Sequence, residues 1–170
     1  MFFQSLCLAK NSINEPALLS TQFKVIHNIT NCNANLFKWK IKDSNKCTLC
    51  NENECDTIMH SLVSCNHSKN IIQTTLQSLA QYSAIPFDIN PMEFIFGSHD
   101  RALNMIYLIL KKHIIRIRAS NQQINKNIIL NDIYRRIVIE KRKNAPPYKF
   151  ESKWSEYDQF VQHAELVVLH

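Results

Sequence analysis

Apolar residues recur along this chain at intervals of three and four, the spacing of one helix face. After Pro16, the positions Leu18, Leu19, Phe23, Val25 and Ile26 predict a helix over 16–29. Residues 30–33 interrupt the pattern, and a short helix is expected through Leu36, Phe37 and Trp39, ending near Ile41. From 43 to 54 the chain is polar apart from two cysteines and Leu49 and reads as loop. Asp56 and Thr57 are placed to cap a helix carrying Ile58, Met59, Leu62 and Val63. Ile71, Leu76 and Leu79 mark a further helix ending before Pro86, and Phe94 and Phe96 extend the pattern beyond Pro91 as far as Gly97. Asp100 then caps a long helix, about 101–119, with Leu103, Ile106, Leu110, Ile114 and Ile117 on its apolar face. A second, basic helix over about 126–143 follows from Ile129, Ile133, Ile137 and Val138, and Ala145-Pro146-Pro147 ends it. Phe150, Trp154, Tyr157 and Phe160 suit a last short helix, with Trp154 and Tyr157 clamping the tail to the body.

Composition narrows the fold class. The 170 residues are 45% hydrophobic, enough for a packed core, yet they include one glycine and only five prolines. An all-β fold needs many tight turns and a phosphate-cradling loop needs clustered glycines. The expectation is an all-α protein: a helical domain with, where Cys47, Cys50, His60 and Cys65 stand at short spacings, a small CCHC zinc knuckle inserted between helices. Residues 1–68 would form a helical segment with the zinc-binding region, and 69–170 a basic helical C-terminal region.

The net charge of +6 is concentrated, since residues 101–149 hold twelve basic and two acidic groups. Such a block favours a polyanionic partner, although a solvated helix face is the plainer explanation. The start, MFFQSLCLAK, lacks the positive region and small-residue cleavage site of a secretory leader. The longest apolar run, 102–110, falls far short of the ~20 residues that span a bilayer, so no membrane partner is expected. An intracellular location, nucleus or cytoplasm, is the expectation. There, clustered Cys and His more often mean metal than disulfides.

The cluster is Cys47-x2-Cys50-x9-His60-x4-Cys65. A structural zinc ion takes four thiolate or imidazole ligands in a tetrahedron, and a Cys-x2-Cys knuckle presents two sulfurs to one ion. If residues 56–64 are helical, His60 lies within that helix and Cys65 near its end. Both could then face the knuckle. Ordering the segment 47–65 costs roughly 28 kcal/mol at about 1.5 kcal/mol per residue. Burying Leu49, Ile58, Met59, Leu62 and Val63 returns about 8–15 kcal/mol. A structural zinc contributes about 10–16 kcal/mol, so metal and core together can hold the segment. Cys55 and His67 are second-choice ligands, whereas Cys7 and Cys32 are expected as small core residues. Four protein ligands leave no open position for a catalytic water.

Residues 22–29 (QFKVIHNI), 36–44 (LFKWKIKDS), Cys47-Thr48-Leu49-Cys50 and 57–65 (TIMHSLVSC) together resemble one known segment. It is the zinc-binding region downstream of the polymerase in LINE-type (non-LTR) retrotransposon reverse transcriptases. The resemblance spans roughly 17–68 and is looser in the basic helices that follow. It implies that Cys47, Cys50, His60 and Cys65 bind Zn2+, and that the module helps a parent protein hold template RNA or target DNA. Upstream polymerase domains would be further partners. The polymerase core with its paired aspartates has no counterpart in this chain, and Glu151-Ser152-Lys153 is too short a nuclease match to count. The chain is therefore expected to be no enzyme, and to resemble the C-terminal end of a retroelement protein.

Two sets of cations are candidates for nucleic-acid contact: Lys38, Lys40, Lys42 and Lys46 near the knuckle, and Lys111, Lys112, Arg116, Arg118, Arg135 and Arg136 in the basic helices, with Lys141, Arg142 and Lys143 beyond. Trp39 and Phe37 could stack on bases, although Phe37 is expected in the core and His27 as a packed helix residue. The alternative is a protein-interaction scaffold in which a structural zinc shapes a helical surface and the basic helices meet an acidic partner.

Overall fold

The computed structural model describes residues 2–50, 52–82, 89–120, 125–143 and 148–169. Among them the fold is all-α, with one isolated antiparallel bridge between Lys46 and Cys55. The stops expected at Pro86 and at residues 145–147 lie outside the described residues. No helix of the described residues is long and apolar enough to cross a membrane.

The chain begins with a helix that the apolar spacing does not predict. α1 (Phe2–Ser12) buries Ser5, Ala9 and Ser12, and packs on α2 (Pro16–Ile26) and α6 (Arg101–Ser120). Its inward face is small and partly polar, so it carries little hydrophobic periodicity. The short helix α3 (Asn33–Lys38) and the connection through residue 59 lead to a wide turn at His60–Ser64, then α4 (Asn66–Ala80).

Local chemistry sets several boundaries, those at Pro16, Gly97 and Asp100 as expected. Pro16 opens α2, where the missing N–H would have no helical partner anyway. Asn90 Oδ1 accepts hydrogen bonds from the amides of Met92 and Glu93 at 3.0 and 3.4 Å, starting α5 (Pro91–Phe96). Gly97 ends α5 at φ +104°, where a Cβ would lie 3.3 Å from Asn104 Oδ1. Asp100 Oδ1 accepts from the Leu103 amide at 2.9 Å and so caps α6.

α6 is the axis of the molecule. It is buried on more than the expected stripe, since Tyr107, Leu108 and Ile109 are enclosed as fully as Ile106 and Leu110. The reason is that α1, α2, α5, α7 (Lys126–Lys143) and α8 (Tyr148–Trp154) all pack against it. α7 packs on α9 (Asp158–Leu169), where the Tyr134 and Phe160 rings lie 5.7 Å apart. The tail is clamped as predicted. Trp154 and Tyr157 are buried, the Tyr157 hydroxyl donates to Asp100 Oδ2 at 2.5 Å, and Trp154 Nε1 donates to Glu140 at 3.2 Å.

Candidate metal centre

The knuckle is built by a short hairpin. The Cys47 amide donates to the Glu54 carbonyl at 2.9 Å and the Asp56 amide to the Asn45 carbonyl at 2.8 Å, closing the loop that carries Cys47 and Cys50. Thr57 Oγ1 then accepts from the His60 amide at 3.1 Å, the capping role expected at this point. Asp56 has a different task. Its carboxylate accepts from the Asn33 amide at 2.9 Å, from Ser61 Oγ at 2.7 Å and from the Arg118 guanidinium, joining α3, the His60 turn and α6.

The turn between the last two ligands is wider than an α-helix. Its N–H to C=O bond runs from Cys65 back to His60 at 2.8 Å, five residues apart. In an ordinary α-helix two residues at that spacing would point about 140° apart. A wide turn brings them closer in direction, and such turns concentrate at functional sites.

Ligand atoms of Cys47, Cys50, His60 and Cys65 all lie within 4.8 Å of one another. The Cys47 and Cys65 sulfurs are 3.9 Å apart, and Cys50 Sγ is 3.3 Å from His60 Nε2. Zinc bonded to sulfur at about 2.3 Å and to nitrogen at about 2.0–2.1 Å sets tetrahedral edges of about 3.8 and 3.6 Å. The residues present fit that ion. They are also poised for one chemically, because clustered thiols cannot all ionise without a cation. Burial pushes Cys47 up, but the Leu49 amide, Arg118 and His60 outweigh it and bring it down to about 6. Burial together with the neighbouring Cys47 and Cys65 pushes Cys50 up to about 11.

Two supporting residues were not foreseen in the sequence. Glu54 Oε2 lies 2.8 Å from His60 Nδ1, which turns Nε2 toward the sulfurs and leaves it free to bind metal. Arg118 donates to Cys47 Sγ at 3.2 Å and to Cys65 Sγ at 3.5 Å as well as to Asp56. Burial opposes its charge, but Cys65, Asp56 and Cys47 outweigh it and hold the guanidinium firmly protonated. Three thiolates around a dication leave one negative charge in excess, and Arg118 is placed to offset it. Among the described residues Cys55 and His67 stay outside the cluster, Cys32 is buried and Cys7 half-buried.

The candidate nucleic-acid residues divide. Lys38, Lys40, Lys42 and Lys46 are exposed, with Lys42 Nζ donating to Asn33 Oδ1 at 2.8 Å. Arg116 and Arg135 are exposed as well. Lys111 is not at the surface: it is fully enclosed in the core, donates to Gln22 Oε1, and burial lowers it to about 7. Arg118 is held at the metal centre. Lys112 pairs with Glu15 at 3.8 Å, and Arg136 pairs with Glu15 and Asp132, so neither is an idle cation. Phe37 is 48% exposed rather than in the core, and Trp39 is 42% exposed. Met59, counted as core in the sequence, is also exposed, at 44%. His27 packs its ring 4.2 Å from Phe23. Glu151 faces solvent while Lys153 is buried on Glu140 at 2.8 Å, so the two do not converge as a nuclease pair would.

Residues 9–71 match the family described as zinc-binding in reverse transcriptase, which supports a reverse-transcriptase-associated zinc region in this part of the chain. The match takes in all four clustered residues and ends within α4. No curated protein and no solved structure matches the chain.

Proposed function

We propose that the chain is a zinc-stabilised nucleic-acid-binding module resembling the C-terminal end of a LINE-type retrotransposon reverse transcriptase, without catalysis of its own. The observation that carries this reading is the convergence of Cys47, Cys50, His60 and Cys65 inside a segment that matches the zinc-binding region in reverse transcriptase. Zinc bound by these four side chains serves structure, holding the loop 43–54 and the His60 turn on α6. Residues 1–68 carry the metal and 69–170 the basic helical frame.

Nucleic-acid contact is supported by the surface chemistry of residues 37–46. Exposed Phe37 and Trp39 alternate with exposed Lys38 and Lys40, and Lys42 and Lys46 follow. Single-strand binders combine these two elements, aromatic faces for bases and cations for phosphates. In a parent protein the module would hold template RNA or target DNA beside upstream polymerase domains, inside the cell.

Fluorescence anisotropy with single-stranded RNA, single-stranded DNA and duplex DNA, between about 50 and 200 mM salt, tests the reading. Log affinity should fall linearly with log salt. Salt-indifferent affinity, or reverse-transcriptase activity in the isolated chain, overturns it. A helical protein-interaction scaffold is the second reading, favoured by the exposed apolar end of α9 at Leu166, Val167 and Val168.

A further inference from the structure

A cleft of about 770 Å³ lies between the α1–α2 connection and one flank of α7, with Lys149 of α8 at its edge. Its acidic groups are already neutralised. Glu15 pairs with Arg136 and Lys112, Asp132 with Arg136 and His113, and Glu140 with Lys153. Four of its cations are not. Lys10, Arg135, Lys143 and Lys149 are exposed, and no hydrogen bond or ion pair among the described residues engages their side chains.

We propose that this cleft binds the sugar-phosphate backbone of a nucleic acid, as a second surface separate from that of residues 37–46. The inference rests on the nucleic-acid reading above and gives it a location away from the cysteine cluster, where Lys10–Glu15 at the start of the matched segment meet α7 and α8 beyond its end. Arg135, Ile139 and Lys143 recur every fourth residue, so they share one face of α7, and the two cations stand about 12 Å apart along it. At ~3.4 Å per phosphate along one strand of a duplex, that distance covers about three to four phosphates. Lys10 and Lys149 extend the cation array from two other helices. Ile13 and exposed Ile139 provide apolar wall that a sugar can lie against. The cations sit on packed helices, so little ordering opposes binding. A row of unpaired cations spread along a cleft suits a regularly charged backbone better than a single acidic side chain.

The test uses the full zinc-loaded chain and a labelled mixed-sequence oligonucleotide, with anisotropy measured across a salt series. Arg135→Ala/Lys143→Ala should weaken binding about tenfold and flatten the slope of log affinity against log salt by about 1.4–1.8, since each lost phosphate contact removes about 0.7–0.9. Zinc content and thermal midpoint should stay at wild-type values, and Arg135→Lys/Lys143→Arg should keep the slope. Unchanged affinity and slope in the alanine pair, while Lys38→Ala/Lys40→Ala weakens binding, overturns the cleft and leaves the module reading intact. Absence of binding by the wild-type chain overturns both. Poly-glutamate that competes as well as unlabelled oligonucleotide at equal charge also overturns it, in favour of an acidic protein.

Discussion

Arg118 Nη2 lies 3.2 Å from Cys47 Sγ, although the two residues are 71 positions apart in the chain. The contact ties the knuckle to the central helix, so metal binding and packing of the helical body become one event. Removing the guanidinium strips two thiolates of a donor and leaves the buried Asp56 carboxylate without its cation. Arg118→Ala is therefore expected to destabilise the zinc-loaded protein by about 3–5 kcal/mol, measured by denaturant unfolding. Arg118→Lys should recover only part, because a single ammonium cannot reach three acceptors at once. A wild-type midpoint for the alanine variant would show that the contact carries no weight.

Cys47→Ser and Cys65→Ser should each abolish stoichiometric zinc, read by metal analysis of the purified protein, with loss of helical ellipticity. Wild-type chain should carry one equivalent, and chelation should reproduce the spectrum of the variants. The Cys55→Ser protein should retain its zinc, since Cys55 lies outside the cluster.

Glu54 acts through His60 rather than on the ion. Glu54→Gln is expected to weaken zinc affinity about 10–100-fold in competition with a chromogenic chelator while leaving stoichiometry at one. His60→Ala, by contrast, should change the stoichiometry or the coordination spectrum.

Lys111 introduces a pH dependence unrelated to metal. Burial depresses it to about 7 in the folded chain, against an ordinary 10.5. Between those values the unfolded chain binds the additional proton, so stability rises with pH. Below about 7 both states are protonated, and the full penalty of burying the charge applies. Subtracting the stability of Lys111→Met from that of wild type should give a difference that moves in favour of wild type by a few kcal/mol from pH 7 to 10. A flat difference would mean that the amine stays charged in the core through its bond to Gln22.

Trp39→Ala and Phe37→Ala should each lower affinity for single-stranded nucleic acid by about 1–3 kcal/mol with little effect on duplex. No loss on either substrate would mean that the rings do not stack on bases and that Lys38 and Lys40 alone carry the contact of this surface.

Much of the helical layout was legible because it rests on local rules. Pro16, Gly97 and Asp100 mark ends that the structure keeps, and the 126–143 helix begins and ends as its isoleucine spacing predicts. α1 was missed because its buried face is built from Ser5, Ala9 and Ser12, which leave no apolar rhythm. Phe37 was assigned to the core on residue type alone, yet α3 is too short to bury every face of its own side chains.

The linear chain alone determined the helical class and pointed to the four residues that cluster, Cys47, Cys50, His60 and Cys65, since cap chemistry, apolar period and Cys/His spacing are all short-range. The cations were different. Basic residues became core in Lys111, a donor to the cysteine cluster in Arg118, an internal ion pair in Arg136 and an unpaired surface charge in Arg135. Only tertiary packing made that choice, because a charge takes its role from the groups that surround it in space, and spacing along the chain carries no record of them.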